Sequence, residues 1–108
     1  MGQPGTEIGD LVAAGRCDGA TPPVLSQSVG VRDLVRVAKG IFTARLFNQI
    51  DPKCCIVTAS PQNAGQMVAV NESGVDTDDV KRFRVTDDAG ADDDGGFTFE
   101  IKRTKYTP

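Results

Sequence analysis

The chain contains no histidine and no tryptophan, and only 6% of its 108 residues are aromatic. Without an imidazole, neither a Cys–His pair nor a Ser–His–Asp triad can be assembled within it, because those devices place a base that titrates near neutrality beside the nucleophile. A zinc centre wants spaced Cys or His ligands. Here the only candidates are Cys17 and the adjacent pair Cys54–Cys55. Scarce aromatics also leave little surface for stacking sugars, so Asp76, Asp78 and Asp79 read as an exposed acidic loop rather than as the paired carboxylates of a glycosidase. No apolar run approaches the ~20 residues of a membrane span. Residues 1–16 lack a basic segment followed by an apolar one, so no secretory signal is expected. No phosphate-binding loop is present either, since the glycines of 90–96 precede a strand-like run and not a helix.

What remains is a chain of single-domain size whose core must be built from Val, Ile, Leu and five Phe. A domain this small is marginal alone, and association with copies of itself would steady it. The net charge is −3, and Arg and Lys are scattered rather than gathered, which speaks against nucleic acid as a partner. An odd cysteine count with an adjacent pair is a poor disulfide framework, so reduced, half-buried thiols in a protein made in a cytoplasm are expected. On a strand, Cys54 and Cys55 would point to opposite faces.

The local grammar is that of strands and turns throughout. Residues 1–15, rich in Gly at their start, read as an N-terminal arm, and 16–108 as the folded domain, although Leu11–Cys17 also has the character of a weak first strand. Asp18–Pro23 is a turn whose double proline excludes a central strand. A second strand is predicted at 29–38, with Val29, Val31, Val35 and Val37 on one face and Arg32 and Arg36 on the other. Asp33 and Leu34 break that alternation, which implies a bulge or an edge position there. The Lys39–Gly40 dipeptide makes a hairpin to a strand at 41–47. Residues 54–60, continuously apolar and β-branched, are expected in a central strand. Shorter runs at 66–71 and 82–86, and the clean alternation of 97–103, complete about seven strands at roughly the 8–12-residue spacing of sandwiches and barrels. Residues 72–80 read as a long acidic loop with one helical turn from Asp76. The fold class is therefore all-β: a small antiparallel β-sandwich, jelly-roll-like in the broad sense.

The order of these signals carries a resemblance. A Cys17-Asp18-Gly19 turn is followed by Ser28–Val31, then by Leu34–Leu46 with its Gly40-Ile41-Phe42-Thr43-Ala44 hairpin strand. An apolar Cys54–Ala59 strand, Arg82–Val85 and a final Phe97–Ile101 come next. Over residues 16–103 this pattern resembles the small β-sandwich domains of tailed-bacteriophage virions, found as capsid decoration or cement proteins and at the tips of tail or head fibres, often as trimers. The resemblance implies a non-enzymatic structural protein in the virion, made in the bacterial host's cytoplasm. Its partners would be two further copies of itself and the major capsid protein, and it would need no cofactor or metal. A chain that starts at Met1 without shaft repeats favours decoration of the head. The alternative is a receptor-binding tip whose loops 48–53, 61–65 and 87–96 gather at one end to touch a cell surface.

Contact residues expected on this reading are Ile8 and Leu11 from the arm, with Arg32, Arg36, Arg45 and Phe47 from the sandwich. Arg32, Arg36, Arg45, Arg82, Arg84, Lys102 and Arg103 share the polar parity of their strands. They form either a cationic sheet face for an acidic partner, with the acidic loops at the opposite pole, or ordinary faces with cross-strand ion pairs to residues such as Glu100. The acidic loop Asp87–Asp94 has oxygen ligands suited to Ca²⁺ but not the spacing of an EF-hand, and reads more simply as a solvated hairpin tip.

Overall fold

The computed structural model of the protein describes residues 8–20, 22–70 and 76–105. Among them run eight strands: β1 Leu11–Cys17, β2 Leu25–Val29, β3 Val31–Ala38, β4 Ile41–Leu46, β5 Cys55–Pro61, β6 Met67–Ala69, β7 Val80–Thr86 and β8 Phe97–Arg103. They form two four-stranded sheets, ordered β2-β1-β8-β5 and β3-β4-β7-β6, and every pairing is antiparallel. The protein is an all-β sandwich, as the alternation implies.

The residues just before the strand expected at 29–38 form a strand of their own, β2, which is why the count is eight. Gly30 sits at φ 72 and turns the chain from β2 in the first sheet to β3 in the second. A Cβ there would lie 2.3 Å from the Val12 carbonyl oxygen, so only glycine fits between the layers. Just beyond, the β3–β4 register slips between Val31 and Asp33. This is the irregularity expected at Asp33, on a strand that is indeed at an edge. Its effect reverses the face assigned to the valines. Val31 and Leu34 are buried, while Val35 and Val37 are 45% and 61% exposed, because the bulge shifts the inward parity by one residue.

Four further expectations are corrected. The 54–60 run is not central, because β5 is an edge strand of the first sheet and its Ile56 is exposed. Its apolar continuity arises because Cys54 closes a 3₁₀ turn, Pro52–Cys54, capped by Asp51. The turn swings Cys54 inward, so Cys54 and Cys55 are both buried instead of facing opposite sides. The arm boundary at residue 15 cuts through β1, which lies inside its sheet between β2 and β8 with Val12 and Ala13 in the core. Residues 1–7 of that arm lie outside the described residues. No helical turn forms at Asp76–Asp79; the chain bends at 78–79 before entering β7, and 72–75 are outside the described residues.

Four phenylalanines tie the layers together. Phe42 and Phe83 project from the second sheet and Phe97 and Phe99 from the first. Ring centroids are 5.5 Å apart for Phe42–Phe97, 5.1 Å for Phe83–Phe97 and 4.7 Å for Phe83–Phe99, all tilted, which suits the ring quadrupoles. Truncating Phe83 to alanine should cost about 3–5 kcal/mol in urea unfolding. Gly30→Ala should also destabilise strongly, by about 1–3 kcal/mol of backbone strain plus the clash. Gly65→Ala, at φ 80 but with nothing within 4 Å, should show the strain alone and therefore a smaller shift of the midpoint.

Candidate functional site

The outer face of the first sheet is laid out by the register of β8 with its neighbours. Thr98 lies between Arg16 and Ser60, Glu100 between Ala14 and Thr58, and Lys102 between Leu11 and Ile56. The last of these rows is apolar around a lysine stem. Ile8 is 56% exposed and Ile56 55%, and both line a hollow of about 370 Å³ floored by β8. Ile8 and Leu11, expected as contact residues, are thus both exposed at this end of the sheet. The first two rows line a second, polar groove of about 330 Å³, to which Gln27 of β2 also contributes.

Arg32, Arg36, Arg45 and Phe47, the other expected contact residues, belong to the opposite layer or its rim. Phe47 is 63% exposed, and the guanidinium carbon of Arg32 lies 5.6 Å from its ring centroid, a cation–π pair open to solvent. Arg45 sits opposite Asp33 in the ladder and binds it through two donors, Nε to Oδ1 at 2.7 Å and Nη2 to Oδ2. Arg36 grips Asp94 with Nε at 3.0 Å and Nη2 at 2.9 Å. The six residues therefore divide between two layers and do not form one site.

Nor is there a single cationic face. Arg45, Arg82 and Arg84 line the outside of the second sheet and Lys102 the outside of the first, by the alternation of their strands. Their charges are matched locally: Arg84–Asp92 at 3.0 Å and Lys102–Glu100 at 3.8 Å, beside the two aspartate pairs above. The acidic loop is consequently not at an opposite pole, nor is it a free hairpin tip. It folds back so that Asp94 accepts from Arg36 and, at 2.8 Å, from the Gly40 amide, while Gln66 donates to Asp93 at 3.0 Å. Asp92, Asp93 and Asp94 are thus engaged by three different partners and diverge, which is the wrong arrangement for sharing a Ca²⁺ ion. Among the described residues no group of three or more Cys, Asp or Glu side chains is placed to hold a metal.

The loops also sort differently from the fibre-tip expectation. Residues 61–65 and 87–96 meet at one end, where the Gln62 amide donates to the Gly96 carbonyl. Residues 48–53 lie at the other end, where the Ile50 amide donates to the Asp78 carbonyl.

One buried polar residue escaped the sequence reading. Lys81 is fully buried, its Nζ donating to the Ile50 carbonyl at 2.9 Å and to that of Thr77. Burial lowers its pKa, opposed by nearby Cys55 and Asp76. Its position two residues before Phe83 on the inward parity of β7 was the available signal. It fastens the 47–54 loop to the 76–79 segment. All three cysteines are free and buried. Burial pushes the Cys17 thiol up to about 11 and raises that of Cys55, so both are protonated, inert thiols at neutral pH.

A scan against protein-family models gives no match, and searches of curated proteins and of solved structures give none.

Two outcomes follow from this chemistry. A thiol reagent added at neutral pH should detect almost no cysteine in the folded protein and three after denaturation. Acid stability should depend on Asp94, whose carboxyl is held below the usual carboxylate range by the Arg36 guanidinium and the Gly40 amide. A lowered folded pKa means the unfolded chain binds the proton more readily. The stabilisation is therefore complete above the ordinary aspartate value of about 3.9 and is lost as pH falls through the lower, folded one. Urea midpoints of wild type and Asp94→Asn should differ near neutrality and converge in strong acid.

Proposed function

We propose that the protein is a non-enzymatic adhesion module of a tailed-phage virion, a decoration or cement protein that acts as a homotrimer bridging subunits of the major capsid protein. The observation that carries this reading is its two-sidedness. Apolar side chains stand exposed on both layers, with Ile8, Leu11 and Ile56 on the first sheet, and Val35, Val37 and Phe47 along β3 and the end of β4 on the second. A protein that bridges needs at least two separate adhesive surfaces, and exposed apolar side chains on both layers supply them.

The β3 edge adds a directional element. Its outer backbone groups face no neighbouring strand within the sheet, so an extended segment of another copy can continue the ladder there. Pro22 and Pro23 flank Val35 and Leu34 in an apolar hollow beside that edge, giving side chains of an added strand somewhere to sit. Binding of this kind stabilises the assembled state by mass action, since only the assembly offers both surfaces at once.

Counting copies of this protein in purified virions tests the assignment. Hundreds of copies are expected; a few dozen or fewer would move it to a fibre, and none would overturn it. Val37→Asp and Ile56→Asp, both at exposed positions, should each leave thermal stability nearly unchanged. Each should weaken co-sedimentation with capsids about tenfold or more, the equivalent of ~1.4 kcal/mol.

A further inference from the structure

The polar groove on the first sheet has a construction that packing does not require. Ala14 pairs with Val29 and Arg16 with Ser26, so Gln27 and Ser28 together oppose Gly15. This is a β-bulge in β2, and Gln27 within it takes φ 50, the one non-glycine in the left-handed region among the described residues. An L-residue is strained there, and a glycine would hold the same backbone without strain. Bulges of this kind re-aim a side chain. Here the residue so placed lines the groove beside Arg16.

We propose that this groove binds a hydroxylated monocarboxylate of monosaccharide size, such as a uronic acid residue, with Arg16 taking the carboxylate and Gln27, Thr58, Ser60 and Thr98 taking hydroxyls. The cross-strand neighbours of Arg16 are Ser26 and Thr98, neither of them charged, while Glu100 has Lys102 at 3.8 Å. Arg16 is the one cationic side chain in the lining, beside the carboxylate of Glu100, and its planar fork matches a carboxylate. Glu100, in the same lining, disfavours a dianion such as a phosphate monoester. Three hydroxyls and a carboxamide around this charge suit a ligand held by hydrogen bonds rather than by aromatic stacking. A volume of about 330 Å³ is that of a small-molecule site. Thr58 and Glu100 line both this groove and the Ile8–Ile56 hollow, so the two adjoin, while the Arg16–Thr98–Ser60 row belongs to the groove alone.

The test is a titration of the ¹⁵N-labelled full chain with sodium glucuronate, followed by amide shifts, with glucose as the neutral control. Saturable shifts through the millimolar range are expected at Arg16, Gln27, Thr58, Ser60 and Thr98, at least tenfold weaker with glucose. Arg16→Ala should abolish them while leaving the rest of the spectrum in place, and Arg16→Gln serves if the alanine variant unfolds. Gln27→Gly should weaken binding while raising the thermal midpoint, because it removes a strained residue; a purely structural glutamine would not give that opposed pair. Absent saturation at these amides, equal binding of glucose, or binding unchanged by loss of Arg16 would each overturn the proposal.

Discussion

The contact between Phe42 and Phe83 of one sheet and Phe97 and Phe99 of the other is the constraint on which the rest of the molecule depends. A chain with five phenylalanines and no tryptophan has little large apolar volume to place, and four of the five rings go here. Smaller residues such as Val12, Val57, Val85 and Ile101 fill in around them. Because the interior takes four of the five phenylalanines, the outer faces are left to aliphatics, hydroxyls and charges, with Phe47 the exception. On the proposed reading, adhesion would draw on exposed Ile and Val side chains and Phe47, and the groove on the first sheet would recognise by charge and hydrogen bonds.

Charge is managed locally. Asp33 with Arg45 and Arg84 with Asp92 answer one another across the surface of the second sheet. Asp94 goes further, because one carboxylate collects the Arg36 side chain and the Gly40 amide, fixing the long 87–96 connection to the β3–β4 turn. At the other end a single buried ammonium, Lys81, gathers two carbonyls from separate segments. Each end of the sandwich is thus closed by one charged side chain making several bonds, an arrangement that satisfies backbone groups which irregular loops would otherwise leave bare.

Much of this architecture was legible from alternation alone. Leu11–Cys17 and Phe97–Arg103 occur at the bounds their patterns suggest, and the slip at Asp33 is visible as a conflict of parity. What could not be read was which side of each conflict would win. A bulge moves every later residue to the other face, so Val35 and Val37 came out exposed and Leu34 buried. The Cys54–Cys55 pair misled because a 3₁₀ turn has a different period from a strand. The grouping of contact residues was the least accessible. Ile8 and Arg36 lie far apart in space for reasons of sheet order, and strand order is set by long-range pairing that no local pattern encodes. Gln27 gave no warning, since nothing about a glutamine in a Ser-Gln-Ser run marks a left-handed backbone.

The passage at Gly30 gives the molecule a spine. One residue separates β2 from β3, and each of those strands is the outermost of its own layer. On the far flank, β5 and β6 are joined by a five-residue turn, 62–66. The two layers are therefore stitched along both margins, by a single residue at Gly30 and by a short turn opposite, so that neither can slide past the other without breaking a connection.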